Sequence, residues 1–553
     1  MKTWCMIILF FLSIQTALMS QNTLKGKTPA FKVIEKEIRE GGVEKGWMKF
    51  KEIRSDTANY TFGEADFNNQ GYAFLYRKAF KEALAIFEMI ITLYPNSSNA
   101  YDSYAEAWLA SGDKENARKY YNIAIEKDPS NPGPKSMLAN LDNYKLQSVK
   151  TIPLPEMKFY AEDDELPLEL RMQTFNQVWE LLRDNYYDPK MNGVDWVRIK
   201  EVYEPRVKLN VTSRSFHALM SMMANELKSS HLAVISPASV KGNAAPSQKG
   251  YTIDGVEIRL AGKNVIFFRV DSASAAWKAG LRPGDLLLKA DSQYMSSFDT
   301  IAKASTRIVK ARRSLNGKEG SQMVIQIKAP SGDVREITLV RTIPVPKRYE
   351  LMHPALVHSL VTPDVGYIWF DCWGADLPEK LSPVLSAYRN TKGIILDLRQ
   401  NPGGMNPGGD LFATWISAED GKIMIDRKRN GEVFEWTYPG SRDTAYTGKV
   451  VILLDEMSAS TSEVITAAFQ ETGRVTVIGS RSYGGVLNST QALLPTGGAL
   501  QYPHSYSVTP KGRFLEGTGV IPDFEVELQP GQLAAGKDSL VEKATAVILN
   551  GRK

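Results

Sequence analysis

The chain has 553 residues, 43% hydrophobic and 23% charged, with a formal net charge of +5. That length fits roughly three to four domains, and the ordinary balance excludes a disordered or low-complexity chain. A mild positive charge with scattered Lys and Arg gives no footprint for nucleic acid.

Residues 1–20 (MKTWCMIILFFLSIQTALMS) carry one basic residue, an apolar core over Ile7–Ile14 and a small residue at Ser20. This pattern predicts a cleaved secretory signal peptide. The apolar run is shorter than the ~20 residues that span a bilayer. Cys5 precedes that run, which argues against a lipid anchor, and no later segment reads as transmembrane. After cleavage only Cys372 remains, so no internal disulfide can form, and the thiol sits in an apolar run that predicts burial. An exported, disulfide-free chain of this size points to the periplasm or cell envelope of a bacterium, or to secretion.

Residues 21–64 are polar and weakly patterned and read as a partly ordered lead-in. Over 65–150 a repeat emerges: Ala83, Phe87 and Pro95 recur as Ala117, Tyr121 and Pro129, each offset by 34. This is the tetratricopeptide period, with small residues where two helices cross and Pro closing the second. Two such repeats are fewer than a free-standing stack needs, so a neighbouring element should support them. Their exposed faces are a candidate surface for a protein partner.

After a Pro-containing linker near 150–166, apolar spacing predicts helices over Phe175–Pro189 and Phe216–Leu227, within a helical region spanning 165–246. Residues 247–343 alternate strand-like runs with SASAAWKAGLRPGDLLLKAD, in which a short helix ends at Gly280 and a Pro283–Gly284 turn feeds a strand. This piece resembles a PDZ domain, a fold that binds extended peptide ends by adding them to a sheet edge. Over 344–540, the runs VGYIWF, GIILDLR, KVVILLD and RVTVIGS alternate with helical text, predicting an α/β core with largely parallel strands. The fold class is therefore multidomain: helical hairpins, a β-rich PDZ-like domain and an α/β core.

The segment DEMSASTSE (Asp455–Glu463) places Ser458, Ser460 and Ser462 between a strand and a helix. A hydroxyl at such a turn meets the positive end of the helix dipole. Helix capping accounts for one serine but leaves the others unexplained. LDLRQNPGGM (Leu396–Met405) leaves a strand into Gly403–Gly404, whose backbone N–H groups suit an oxyanion; the same pair also suits an ordinary tight turn.

Together, ILDLRQNPGG, SASTSE, the PDZ-like insertion and EGTGVIPD resemble the C-terminal processing, or tail-specific, proteases over residues 170–530. The resemblance implies a crotonase-like or ClpP-like α/β core and a serine endopeptidase acting on proteins or polypeptide tails. It makes Ser460 the nucleophile and Gly404, with Gly403 beside it, and Thr461 the oxyanion donors. The family's common general base is a lysine in F-G-K-G. The matching stretch here is YGGV, with Gly485 at the lysine's place.

ELKSSHL (Glu226–Leu232) is similar instead to the tricorn-like branch, which also resembles the interphotoreceptor-retinoid-binding-protein type. That resemblance makes His231 the base, Ser230 its neighbour (with Ser229 an alternative) and Glu516 the carboxylate. A histidine near its ordinary pKa of ~6.5 can accept a serine proton at neutral pH. The competing reading is a retired protease fold that binds a peptide or ligand, or serves as an envelope scaffold. Neither a metal-ligand motif nor a phosphate loop occurs, so no metal and no cofactor is expected.

Overall fold

A computed structural model of the chain describes residues 27–76, 79–129, 160–240, 250–345 and 353–550, with a few positions between 134 and 141. The signal-peptide expectation lies outside the described residues. Two compact units divide at Pro153–Leu154.

The first unit is helical. Helix α1 (Ala30–Ile53) is followed by α2 (Glu64–Tyr76), α3 (Phe80–Leu93), α4 (Ser98–Ser111) and α5 (Lys114–Lys127). Ser97 and Asp113 cap α4 and α5 by accepting the N–H groups of Ala100 and Asn116, and Gly112 ends α4 at a φ of 99°. Helices α2 to α5 pair as two hairpins over the stretch where the 34-residue period is expected. The lead-in expectation is corrected: residues 30–53 form a helix whose Ile34, Ile38, Phe50 and Ile53 bury with Phe67 and Phe87 in one core. This helix is the supporting neighbour that two repeats require.

The second unit opens with α6 (Leu168–Asn185), α7 (Trp196–Val207) and α8 (Ser213–Asn225), then the short strand β1 (Ala233–Ile235). Helix α6 starts seven residues before the expected Phe175, directly after Pro167, and α8 starts where Thr212 caps it by accepting the Ser215 N–H. Strands β2 (Val256–Ala261), β3 (Asn264–Val270) and β4 (Leu286–Ala290) follow, with the one-turn helix α9 (Ala275–Lys278) between β3 and β4. Helix α10 (Ala304–Ser314), β5 (Gln322–Lys328) and β6 (Val334–Val340) complete an antiparallel sheet in the order β6-β5-β4-β3-β2. Gly280 and Gly284 take φ values of 96° and 90° at the turn between α9 and β4.

The main sheet uses β7 (Leu356–Thr362), β8 (Val365–Phe370), β9 (Gly393–Asp397), β12 (Lys449–Leu454), β13 (Val475–Gly479) and β16 (Phe524–Glu525), in that order. All but β7 run parallel. Helices α11 (Leu377–Ala387), α12 (Pro407–Ile416), α13 (Thr461–Glu471) and α14 (Ser539–Asn550) connect or cover it. Side chains alternate across the strands, so Ile394 and Leu396 join one core and Ile395 the other. Both faces are buried, which is why these strands read as continuous apolar runs. Strands β10 (Gly421–Lys428), β11 (Val433–Tyr438), β14 (Asn488–Leu493) and β15 (Ala499–Val508) form a second sheet ordered β11-β10-β15-β14. Strand β1 pairs with β15, bringing the end of the helical region onto this sheet. No described helix is long and apolar enough to cross a membrane.

Candidate active site

The three serines after β12 separate by burial and bonding. Ser458 is fully buried; its Oγ donates to the Leu398 carbonyl at 2.8 Å and accepts the Asp455 N–H at 3.0 Å. Ser462, equally buried, donates to Asn401 Oδ1 at 3.0 Å and accepts the Trp373 indole N–H at 2.9 Å. Both fasten the turn to the segment after β9. Ser460 is half-buried and faces a cavity of about 290 Å³, lined also by His231, Pro402, Gly403, Gly404 and Leu487 to Ser489.

Ser460 holds φ 55° and ψ −120° at the start of α13. A side-chain residue held there costs on the order of 1–3 kcal/mol unless its surroundings fix it. Two acceptors fix it, since the Ser460 N–H points to the Gly485 carbonyl at 3.0 Å and to Glu463 Oε2 at 3.0 Å. Glu463 is fully buried and also accepts the N–H groups of Gly484 (2.7 Å) and Gly485 (2.9 Å) and the Ser482 hydroxyl. Sequence reasoning missed it, although Ser-x-x-Glu is the capping-box spacing.

The structure divides the glycine pair. The Gly403 N–H is consumed by Asn401 Oδ1 at 2.9 Å, so the expectation that it serves as an oxyanion donor is corrected. Gly404 and Thr461 keep N–H groups without a protein acceptor among the described contacts, and the Thr461 hydroxyl ties the two by donating to the Gly404 carbonyl at 2.8 Å. Gly403 has a different necessity. At a φ of 92°, an added Cβ would stand 2.6 Å from Ser460 Cβ and 2.7 Å from the Ala459 carbonyl oxygen. Gly403→Ala should therefore push the Ser460 turn off its position and cost about 10²-fold or more in peptide turnover, measured as kcat/KM.

His231 stands in the turn between α8 and β1, at a φ of 54°. Its Nδ1 is 2.8 Å from Ser230 Oγ, and that hydroxyl donates to Glu516 Oε2 at 3.0 Å. Glu516 also accepts the Ser230 N–H (3.1 Å) and the Val486 N–H (2.9 Å). With the Ser230 proton committed to Glu516, the hydroxyl oxygen accepts from Nδ1–H, which leaves Nε2 as the ring's acceptor. Ser229 turns away and donates to the Ser230 carbonyl, so Ser230 is the member of the chain.

Family comparisons decide the class. Residues 364–526 match Peptidase family S41, residues 167–225 match the Tricorn protease C1 domain and residues 69–97 match a tetratricopeptide repeat. The chain carries a Peptidase family S41 match over its α/β core and is a serine-type peptidase. Its relatives include carboxyl-terminal-processing peptidase 3, chloroplastic, of Arabidopsis thaliana, 22% identical over 389 residues, covering 68% of this chain and 72% of that one. The carboxyl-terminal-processing protease of Synechocystis is 24% identical over 363 residues, covering 64% and 80%. Among solved structures, mature CPAF complexed with lactacystin shares the fold, with a TM-score of 0.52 and 13% identity over 69% of this chain and 98% of that one.

Gly485 stands where the sequence resemblance expects a lysine, and no lysine lines the cavity at Ser460. Burial holds the His231 pKa below its ordinary value, opposed by the Glu516 carboxylate, so the ring is neutral at pH 7. No hydrogen bond joins His231 to Ser460 among the described contacts, a spacing that substrate-free enzymes commonly show. Cys372 is fully buried, and burial pushes its thiol up to about 12, as a structural thiol requires.

Proposed function

We propose that the peptidase hydrolyses peptide bonds through an acyl-enzyme at Ser460, with His231 as general base in place of the missing lysine. The observation that carries this reading is the chain Glu516–Ser230–His231, which ends at the cavity that His231 shares with Ser460. His231 Nε2 takes the Ser460 proton as Oγ attacks the scissile carbonyl. The oxyanion that forms is met by the N–H groups of Gly404 and Thr461. His231 then returns the proton to the departing amine, and the carbonyl re-forms as an ester on Ser460. Water attacks that ester with His231 again as base, releasing the new carboxyl end and restoring the Ser460 hydroxyl. Ser230 and Glu516 hold the imidazole in the tautomer this requires and stabilise its cation.

Further parts of the reading concern delivery. The leader over residues 1–20 would export the chain to a bacterial envelope. The β-rich domain over 247–343 would act as a PDZ-like dock for extended polypeptide tails, supported by an antiparallel sheet with β2 at one edge. The tetratricopeptide pair would receive a protein partner. Fluorophosphonate labelling of the mature protein tests the chemistry. Labelling of the wild type that disappears in Ser460→Ala and in His231→Ala is the expected result. Labelling that persists in His231→Ala would assign the base elsewhere, and a folded wild type that does not label would favour a binding protein.

A further inference from the structure

A second cavity, of about 510 Å³, lies where the hairpin of β2 and β3 meets the carboxyl ends of β12 and β13. It shares no lining residue with the cavity at Ser460. Three arginines line it. Arg399 is fixed at its Nε by Asp397 (2.8 Å) and at one terminal nitrogen by Asp538 (2.8 Å), yet its Nη1 is buried without a partner. Arg259 gives its Nε to Glu257 at 2.7 Å and lies 3.6 Å over the Phe268 ring, and its Nη1 is likewise buried and unpaired. Arg307, from α10, buries an unpaired Nε.

A buried guanidinium N–H without an acceptor is costly, and three in the lining of one cavity call for a common acceptor. A carboxylate or phosphate group answers that need, because its oxygens accept several N–H bonds from planar guanidinium forks. The acidic residues of the lining do not fill the role. Asp455 is already spent on the backbone N–H groups of Gln400 and Met457. Glu456 is buried beside Asp455, burial and that charge push its carboxyl above its ordinary range and favour the neutral form, and its buried Oε1 meets none of the three arginines. Glu525 and Glu527 lie exposed to solvent.

We propose that this cavity is a binding site for a small oxyanion, carboxylate or phosphate, held by Arg259, Arg307 and Arg399. Two of its lining residues stand at the roots of the catalytic loops, Arg399 five residues before Gly404 and Glu456 four before Ser460. An anion there ties the β-rich domain to both loops.

The test is calorimetric titration of the full mature protein with inorganic phosphate and, separately, with succinate, at ionic strength held constant with sodium chloride. Saturable binding of at least one anion is expected, and the tighter of the two identifies the chemistry preferred. Arg307→Gln should weaken that binding roughly tenfold, the scale of one hydrogen bond to a charged group. Arg307 makes no ion pair among the described residues, so this variant should melt as the wild type does without anion. Ser460→Ala should bind as tightly as wild type, which separates this site from the peptidase reading. The proposal is overturned if neither anion binds, if Arg307→Gln binds as wild type does, or if Ser460→Ala abolishes binding.

Discussion

His231→Ala should lower kcat/KM on a peptide substrate by about 10⁴- to 10⁶-fold, and the double variant with Ser460→Ala should lose no more than either single one. Residues that act as one unit behave in this non-additive way, because the remaining partner has nothing left to activate. The acid limb of the pH profile gives a second, independent reading. Only the neutral imidazole accepts the serine proton, and burial holds the His231 pKa below its ordinary value. Activity should therefore fall on acidification with a midpoint below ~6.5 and be flat through neutrality. The Glu516 carboxylate works against that depression by favouring the cation. Glu516→Gln should then shift the midpoint further toward acid and cost about 10²- to 10⁴-fold in kcat. A loss of rate with an unmoved midpoint would make Glu516 a scaffold for Ser230 and Val486 only.

The parts of this site that sequence reveals are those encoded within a few residues. SASTS after an apolar run marks the strand-to-helix turn, and NPGG marks the facing loop. Which serine is left free for the proposed attack, however, follows from burial: Ser458 and Ser462 are consumed by Leu398 and Asn401. The difference between Gly403 and Gly404 depends on one hydrogen bond from the Gly403 N–H to Asn401 Oδ1, which no spacing encodes. His231 was legible only through a motif, because its partner Glu516 lies 286 residues from Ser230. Helix α1 was missed for a local reason. Its apolar positions Ala30, Ile34 and Ile38 keep helical spacing, but Gly41 and Gly42 interrupt it, and Gly42 takes a φ of 83° inside the helix. The continuation through Gly46, Phe50 and Ile53 then reads as unrelated text.

Glu463→Gln should cost about 10²-fold or more in kcat with little change in KM, and on the order of 2–4 kcal/mol in stability. The wild-type carboxylate is met by four donors, the N–H groups of Ser460, Gly484 and Gly485 and the Ser482 hydroxyl. Burial pushes its pKa above the ordinary carboxylate range, and those donors pull the other way. A protonated carboxyl would aim its own O–H at a neighbour that is itself a donor, so the surroundings suit the ionised form. Glutamine has the same shape but presents an NH₂ where an acceptor is needed, leaving at least one buried N–H opposed. Its effect reaches catalysis through the backbone. The same carboxylate and the Gly485 carbonyl hold Ser460 at its positive φ, and the next residue is Thr461, whose N–H is the proposed oxyanion donor. Released from that grip, Ser460 relaxes toward an ordinary helix start, and nucleophile and donor move together. Glu463→Asp keeps the charge but shortens the reach by one methylene, so it should fall between wild type and Gln in both melting temperature and kcat. Equal melting temperatures and equal turnover in all three proteins would mean that the Gly485 carbonyl alone sets the turn, and that the buried charge has no part in positioning Ser460.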